Sequence, residues 1–142
     1  MNLSHAGRKD LTTVSLAPGN VGAATTQGVP VDMAGWDRVR FTLLVGAAAT
    51  GAYDLRAVHS ANANMSGNVN VTGGAITQIA NINAVPNTVY EIDIARPTNR
   101  YVTVLSTTAA AANVTVLATR YRGSGVLPAT LPTNHQYVAV SG

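Results

Sequence analysis

The run WDRVRFTLLV, Trp36 to Val45, repeats with a period of two. Val39, Phe41, Leu43 and Val45 fall on one side, Arg38, Arg40 and Thr42 on the other. Successive side chains of a strand point to opposite faces, so this pattern predicts a half-buried strand with one apolar face. The same period recurs in LTTVSLA from Leu11, YDLRAVH from Tyr53, NTVYEIDIA, the run from Tyr101, and NVTVLATRYR from Asn113. No window of a dozen residues carries apolar side chains at helical spacing. The alanines from Ala109 to Ala112 are too few to offset the cost of nucleating a helix.

Turn signals punctuate these runs. PGN at Pro18–Asn20 predicts a turn, and GVPVD at Gly28–Asp32 contains Pro30 and belongs at a sheet edge. Ser60–Ala75 is rich in Asn and Gly, which favour turns over packed interiors. Short strands at Asn68–Thr72 and Ile76–Ile82 frame a turn at Gly73–Gly74. About eight or nine short strands at roughly 8–12-residue spacing predict an all-β fold, an antiparallel β-sandwich of jelly-roll-like form. The organisation expected is an N-terminal arm (1–10), the sandwich (11–122) and an extended C-terminal tail (123–142). In that tail Gln136–Val140 forms a last strand or one donated to a neighbour.

Charge is scarce. Asp, Glu, Lys and Arg make up 11% of the 142 residues, against roughly 25% in ordinary globular domains. Hydrophobic residues reach 46% with only 5% aromatic, so the apolar content is mostly small aliphatic side chains. Such a chain has little charge to keep copies apart, which fits a protein that hides surface in an assembly. The net charge of +3 is mild, and the cations form no stripe with interleaved aromatics, so nucleic-acid binding is not expected. Disulfides and thiolate metal sites are excluded, because the chain contains no cysteine. The first residues have no apolar core of a secretory signal, and no window approaches the ~20 apolar residues of a membrane helix. A protein made in a cytoplasm, with no membrane partner, is the expectation.

No residue set points to catalysis, a cofactor or a metal. His5, His59 and His135 have no second histidine at ligand spacing. Glu91 and Asp93 share a strand face as paired catalytic carboxylates might, but cross-strand pairing with Arg38, Arg40, Arg56 or Arg100 is the expected role. GSGVLP from Gly123 fails as a phosphate cradle because Pro128 stands at the third glycine position. Arginine and aromatic residues, which are enriched at interfaces, do recur together. Arg96 and Arg100 bracket the turn Arg96-Pro97-Thr98-Asn99-Arg100, and Tyr101 follows it. Trp36 stands near Arg38, and Arg120, Tyr121 and Arg122 are consecutive. With Arg8 and Lys9 of the arm, Trp36, Arg96, Arg100, Tyr101, Arg120, Tyr121 and Arg122 are the candidate interface residues.

The order YEIDIARPTNRYVTVLSTTAAAANVTVLATRYRGSGVLPAT resembles small virion proteins of tailed double-stranded DNA bacteriophages. The matching features are Arg96, Pro97, Arg100 and Tyr101 at the turn, Val114 and Val116 in the following strand, then Tyr121, Gly123 and Pro128. GWDRVRFTLLVGA and GAYDLRAVHSAN are similar to that family's earlier strands. The likeness runs from Trp36 to about Pro132. It implies a capsid cement or decoration protein, closest to those of short-tailed phages. Proteins of that kind are dimers or trimers on the outer surface of the head, where they clamp neighbouring major capsid subunits. The implied partners are the major capsid protein and other copies of the chain, and assembly takes place in the host bacterial cytoplasm. A second reading, a carbohydrate- or receptor-binding sandwich of a head or tail fibre, rests on Trp36 and the Asn-rich Ser60–Ala75 stretch.

Overall fold

A computed structural model describes residues 10–21, 24–48, 52–79, 89–109, 112–123 and 135–141. Ten strands appear in this order: β1 (Asp10–Val21), β2 (Thr25–Gln27), β3 (Val31–Asp32), β4 (Arg38–Ala48), β5 (Tyr53–Ser60), β6 (Val69–Ile79), β7 (Val89–Ala95), β8 (Tyr101–Thr108), β9 (Ala112–Tyr121) and β10 (His135–Ser141). No helix is present among the described residues. One sheet has the order β1-β9-β4-β7-β10 and the other β2-β8-β5-β6, with β3 on the same edge of β8 as β2. All pairings are antiparallel except β7 with β10, which is parallel. The fold is therefore the β-sandwich that the alternation predicts.

The alternation also places the core. Val39, Phe41 and Leu43 of β4 are fully buried, as are Ile92 and Ile94 of β7 and Val116 and Ala118 of β9. The register sets Val39 beside Ile94, Phe41 beside Ile92 and Leu43 beside Tyr90. From the second sheet Tyr53, Leu55, Val102 and Val104 join the same cluster. Burial of roughly 0.8 kcal/mol per methylene, summed over such a layer, is what holds the two sheets together.

Tyr53 carries a hydroxyl into this apolar layer. It is satisfied by the Ser106 hydroxyl at 2.6 Å. Burial pushes the phenol up to about 12, although the Ser106 hydrogen bond acts the other way. A raised folded-state pKa means the proton is held more tightly in the fold than in the unfolded chain. This contribution is complete below pH ~10 and is lost as pH rises toward 12. Tyr53→Phe should flatten that alkaline loss, measured by urea unfolding at a series of pH values. An unchanged pH slope would show that Tyr53 is not the group responsible.

Two turn predictions fail. Pro18–Asn20 lies inside β1, which runs on to Val21 past register shifts between Val14 and Leu16 and between Leu16 and Gly19. An edge strand tolerates proline because its outward N–H is not needed, and a bulge absorbs the extra residues. Likewise Gly73 and Gly74 sit within one continuous strand, β6. The pairing jumps from Arg56–Ala75 to Val58–Asn70, so the glycines form a bulge and no hairpin. Gly73 takes the left-handed conformation (φ 75).

On the β1 side the sheets are joined through Gly28 and Val29. Val29 N donates to Ser15 O at 2.6 Å and Gly28 N to Val104 O at 2.9 Å. A Cβ on Gly28 would run into the Ser15 hydroxyl and sit 3.1 Å from both Ser15 O and Thr103 Oγ1. Only glycine allows the backbone to come this close. Thr103, on the outward face of β8, is nonetheless fully buried. Its hydroxyl donates to Gly28 O at 2.7 Å.

Candidate functional site

One end of the sandwich collects most of the chain's arginines. Asp10 and Arg38 both face Tyr121 across β9, Arg38 pairs with Ala95, and Ala95 pairs with Ser141. The turn after β7 carries Arg96 and Arg100 at this same end, and Arg120 near the end of β9 and Arg122 just past it lie there too. Of the candidate interface residues, the structure brings together Trp36, Arg96, Arg100, Tyr101, Arg120, Tyr121 and Arg122. Arg8 and Lys9 lie outside the described residues.

On the outer face of the first sheet the centre is Asp93, which is fully buried. Arg38 Nε reaches its Oδ1 at 3.1 Å and Arg40 Nη2 its Oδ2 at 3.2 Å. The Tyr137 hydroxyl donates to Oδ2 at 2.8 Å, and the Tyr121 hydroxyl donates to the same oxygen. Arg38 and Arg40 also lie over the Tyr121 ring, 5.7 and 5.5 Å from its centroid. Burial works against both guanidinium charges, yet the carboxylates beside them raise both above their ordinary value. Burial pushes the Tyr137 phenol up to about 12, and its hydrogen bond to Asp93 adds to the shift. Beside this hub, Glu91 accepts from Thr42 Oγ1 at 3.1 Å and lies 4.0 Å from Arg40 Nη1.

The cross-strand role expected for Glu91 and Asp93 is thus met by Arg38 and Arg40. Arg100 does not take part in that pairing. It makes a bidentate pair with Asp32 of β3, Nε–Oδ1 at 2.8 Å and Nη2–Oδ2 at 2.7 Å, and lies over the Tyr101 ring. The Arg100 hydrogen bond, with help from Ala34 N, lowers the Asp32 carboxyl to about 2. Both partners are exposed, with side-chain exposures of 57% and 40%, so water screens the pair and its effect on stability is small. Arg100→Ala should leave the fold and its Tm nearly unchanged. It should also return the Asp32 carboxyl toward the ordinary range, read by NMR titration. Loss of soluble protein would instead make Arg100 structural.

At the open end of the sandwich Trp36 is half-buried beneath two guanidinium groups. Arg120 and Arg122 both lie 5.5 Å from its ring centroid. Arg120 Nη1 donates to Asp32 O and Arg122 Nε to Gly35 O. Arg96 stands in the left-handed region (φ 49), with its N–H donated to Asp37 O at 2.8 Å. A bulky residue before proline is disfavoured there, and a residue so held stores of the order of 1–3 kcal/mol. The turn and the Trp36 segment enclose an open depression of about 450 Å³, lined by Met33, Ala34, Trp36, Asp37 and the residues from Arg96 to Arg100.

Two features of the site were not foreseen from sequence. Tyr137 sits in the tail with no local pattern to mark it as a partner of Asp93. The Asn-rich stretch is part strand, and its segment between β5 and β6, residues 61–68, is a loop closed by its own hydrogen bonds. Ser60 Oγ donates to Ser66 O at 2.7 Å, Ser66 N to Asn64 Oδ1 at 3.0 Å and Asn68 Nδ2 to Met65 O at 3.0 Å, and Met65 is buried. His59 is buried beside this loop, with Asn99 N donating to its Nδ1 at 3.4 Å. No group of three His, Cys, Asp or Glu side chains is placed to hold a metal among the described residues.

No protein-family model matches the sequence, and no curated protein matches it. Solved structures share the fold. PBSX exported protein XepA superposes with a TM-score of 0.58 at 12% identity over 87% of this chain, which spans 41% of the length of XepA. SPBc2 prophage-derived protein YomS gives 0.51 at 6% identity, covering 78% of this chain and 91% of that one. A protein of the Bacillus endospore appendages, which form a novel family of disulfide-linked pili, gives 0.50 at 16% identity, with coverages of 87% and 98%. At such identities the likeness concerns the fold.

Proposed function

We propose that this chain is a non-enzymatic structural protein of a phage virion, one that binds the outside of the capsid and stabilises contacts between major capsid subunits. The observation that carries the reading is the gathering of Arg96, Arg100, Arg120 and Arg122 around Trp36 and Tyr101 at one end of a chain otherwise poor in charge. Arginine and aromatic side chains dominate binding hot spots. The strained Arg96 turn presents its cation on a fixed backbone, and little ordering is left to offset on binding. An acidic shell surface would meet this end with charge complementarity that sets register and speeds encounter. The fold is one shared with a prophage-derived protein, which fits the reading. The pili of the endospore appendages are disulfide-linked, whereas this chain has no cysteine. Any assembly it makes holds without disulfides, and symmetry can multiply weak contacts into firm binding.

The enzyme reading finds no support in Asp93, whose oxygens are taken up by two arginines and two tyrosines. A sugar stacked on Trp36 would have to displace a guanidinium from its ring. The test is co-sedimentation of untagged protein with heads that lack it. Arg96→Glu combined with Arg100→Glu should lower retention at least about tenfold, the equivalent of ~1.4 kcal/mol, while circular dichroism stays that of the wild type. Cryo-microscopy should then find the wild type on the shell with a copy number set by head symmetry. Heads that retain the doubly reversed variant, or never bind the wild type, would rule this function out.

A further inference from the structure

The last strand is held differently from the rest. β10 lies at a sheet edge and pairs in parallel with β7, from His135 beside Val89 to Ser141 beside Ala95. β9 and β10 run in the same direction, since β9–β4 and β4–β7 are both antiparallel. The chain leaves β9 at the Ala95 end and re-enters the sheet beside Val89, three strand spacings away. That path is about 25 Å, taking ~4.8 Å between strands and ~3.3 Å per residue. Residues 122–134 can reach roughly 40 Å. The chain length alone therefore does not decide which copy's β7 receives β10.

The side chains of β10 are covered only in part. Val138 and Val140 pack against the core while only partly buried, and Ala139 and Ser141 are exposed. The slot they cover is apolar, because Ile92 and Ile94 of β7 are fully buried. Val140 packs where Gly73 leaves room, 3.2 Å from the position a Cβ would take. Register is fixed by the Tyr137 hydroxyl on Asp93. Each of these contacts is reproduced if β10 arrives from a second copy, so exchange loses nothing but the cost of bringing two molecules together. An edge left bare by a departed β10 would present unpaired backbone groups that must be filled.

We propose that the β7 edge of one copy accepts β10 of a neighbouring copy, so that copies of this chain are joined by exchange of the C-terminal strand. The topology carries this independently of any capsid. Reciprocal exchange would give closed pairs, and head-to-tail exchange would give rings or chains. The absence of native cysteine allows a direct test on the full chain. Ala95 and Ser141 are register partners, and neighbouring strands are within the Cα separation a disulfide spans. Ala95→Cys and Ser141→Cys are made as single variants, one carrying a mass label, then unfolded, mixed and refolded at high concentration. Mild oxidation should yield the mixed disulfide in excess over either like-with-like dimer. A double variant that closes only within its own chain, beside a mixture that gives no mixed disulfide, would overturn the proposal. So would a double variant that forms no disulfide, since β10 would then not lie on β7 at all. A chain that still binds heads in either case keeps its structural role and loses only the exchange.

Discussion

Phe41→Ala should lower the unfolding free energy by about 3–5 kcal/mol, the usual range for emptying a buried phenylalanine site. Phe41 is fully buried in the middle of β4, flanked by Ile92 on one neighbouring strand and Ala118 on the other. Ala118 is too small to fill the space and Ile92 is fixed by its own strand, so the cavity persists. The stability of such domains is about 5–15 kcal/mol, and the variant would stand near the limit of folding. Urea unfolding followed by circular dichroism measures the loss. Phe41→Leu keeps most of the volume and should lose far less. If Phe41→Ala unfolded at the wild-type midpoint, the inward face assigned to β4 would be wrong.

Asp93→Ala should cost about 3 kcal/mol, the low end of what removing one partner of a buried ion pair does. The low end applies because the Arg38 and Arg40 side chains are 17% and 34% exposed and can turn toward water. Four side chains lose their bond to this carboxylate at once, and Tyr137 loses the contact that sets the register of β10. The damage should therefore be uneven. Amide exchange in β10 should speed up much more than exchange in β5 or β8. Asp93→Asn, which keeps one acceptor oxygen and drops the charge, should fall between the two. Uniform acceleration across both sheets would mean that Asp93 supports the whole sandwich and not the edge.

How much of this was legible in the sequence follows from the range over which each interaction acts. The faces of β4, β7 and β9 were readable because alternation is local: Val39, Ile92 and Val116 announce their direction through their immediate neighbours. Cross-strand pairing of Asp93 with Arg38 and Arg40 was readable in kind, since opposite charges on the outward faces of adjacent strands seek each other. The bulges at Pro18–Asn20 and Gly73–Gly74 were not. Proline and glycine mark a departure from regular pairing, and only the partner strand decides whether that departure is a turn or a bulge. Arg100 was expected opposite Glu91 and Asp93 or at an interface; its actual partner, Asp32 on β3, lies 68 residues away in sequence. Tyr137 escaped for the same reason.

The strand ends have a practical side. Asp10, where β1 begins, and Ser141, where β10 ends, stand in one row across the first sheet through Tyr121, Arg38 and Ala95. The passage from β4 to β5 lies at the far end, where Ala48 meets Ala112 and Tyr53 meets Thr108. A peptide or fluorescent domain joined directly at Asp10 or at Ser141 would therefore start from the arginine-rich end, the face proposed above to bind the shell. The same cargo inserted between Ala48 and Tyr53 would face the opposite way. If the arginine-rich end docks on a shell as proposed, that position would turn the protein into an outward-facing display scaffold.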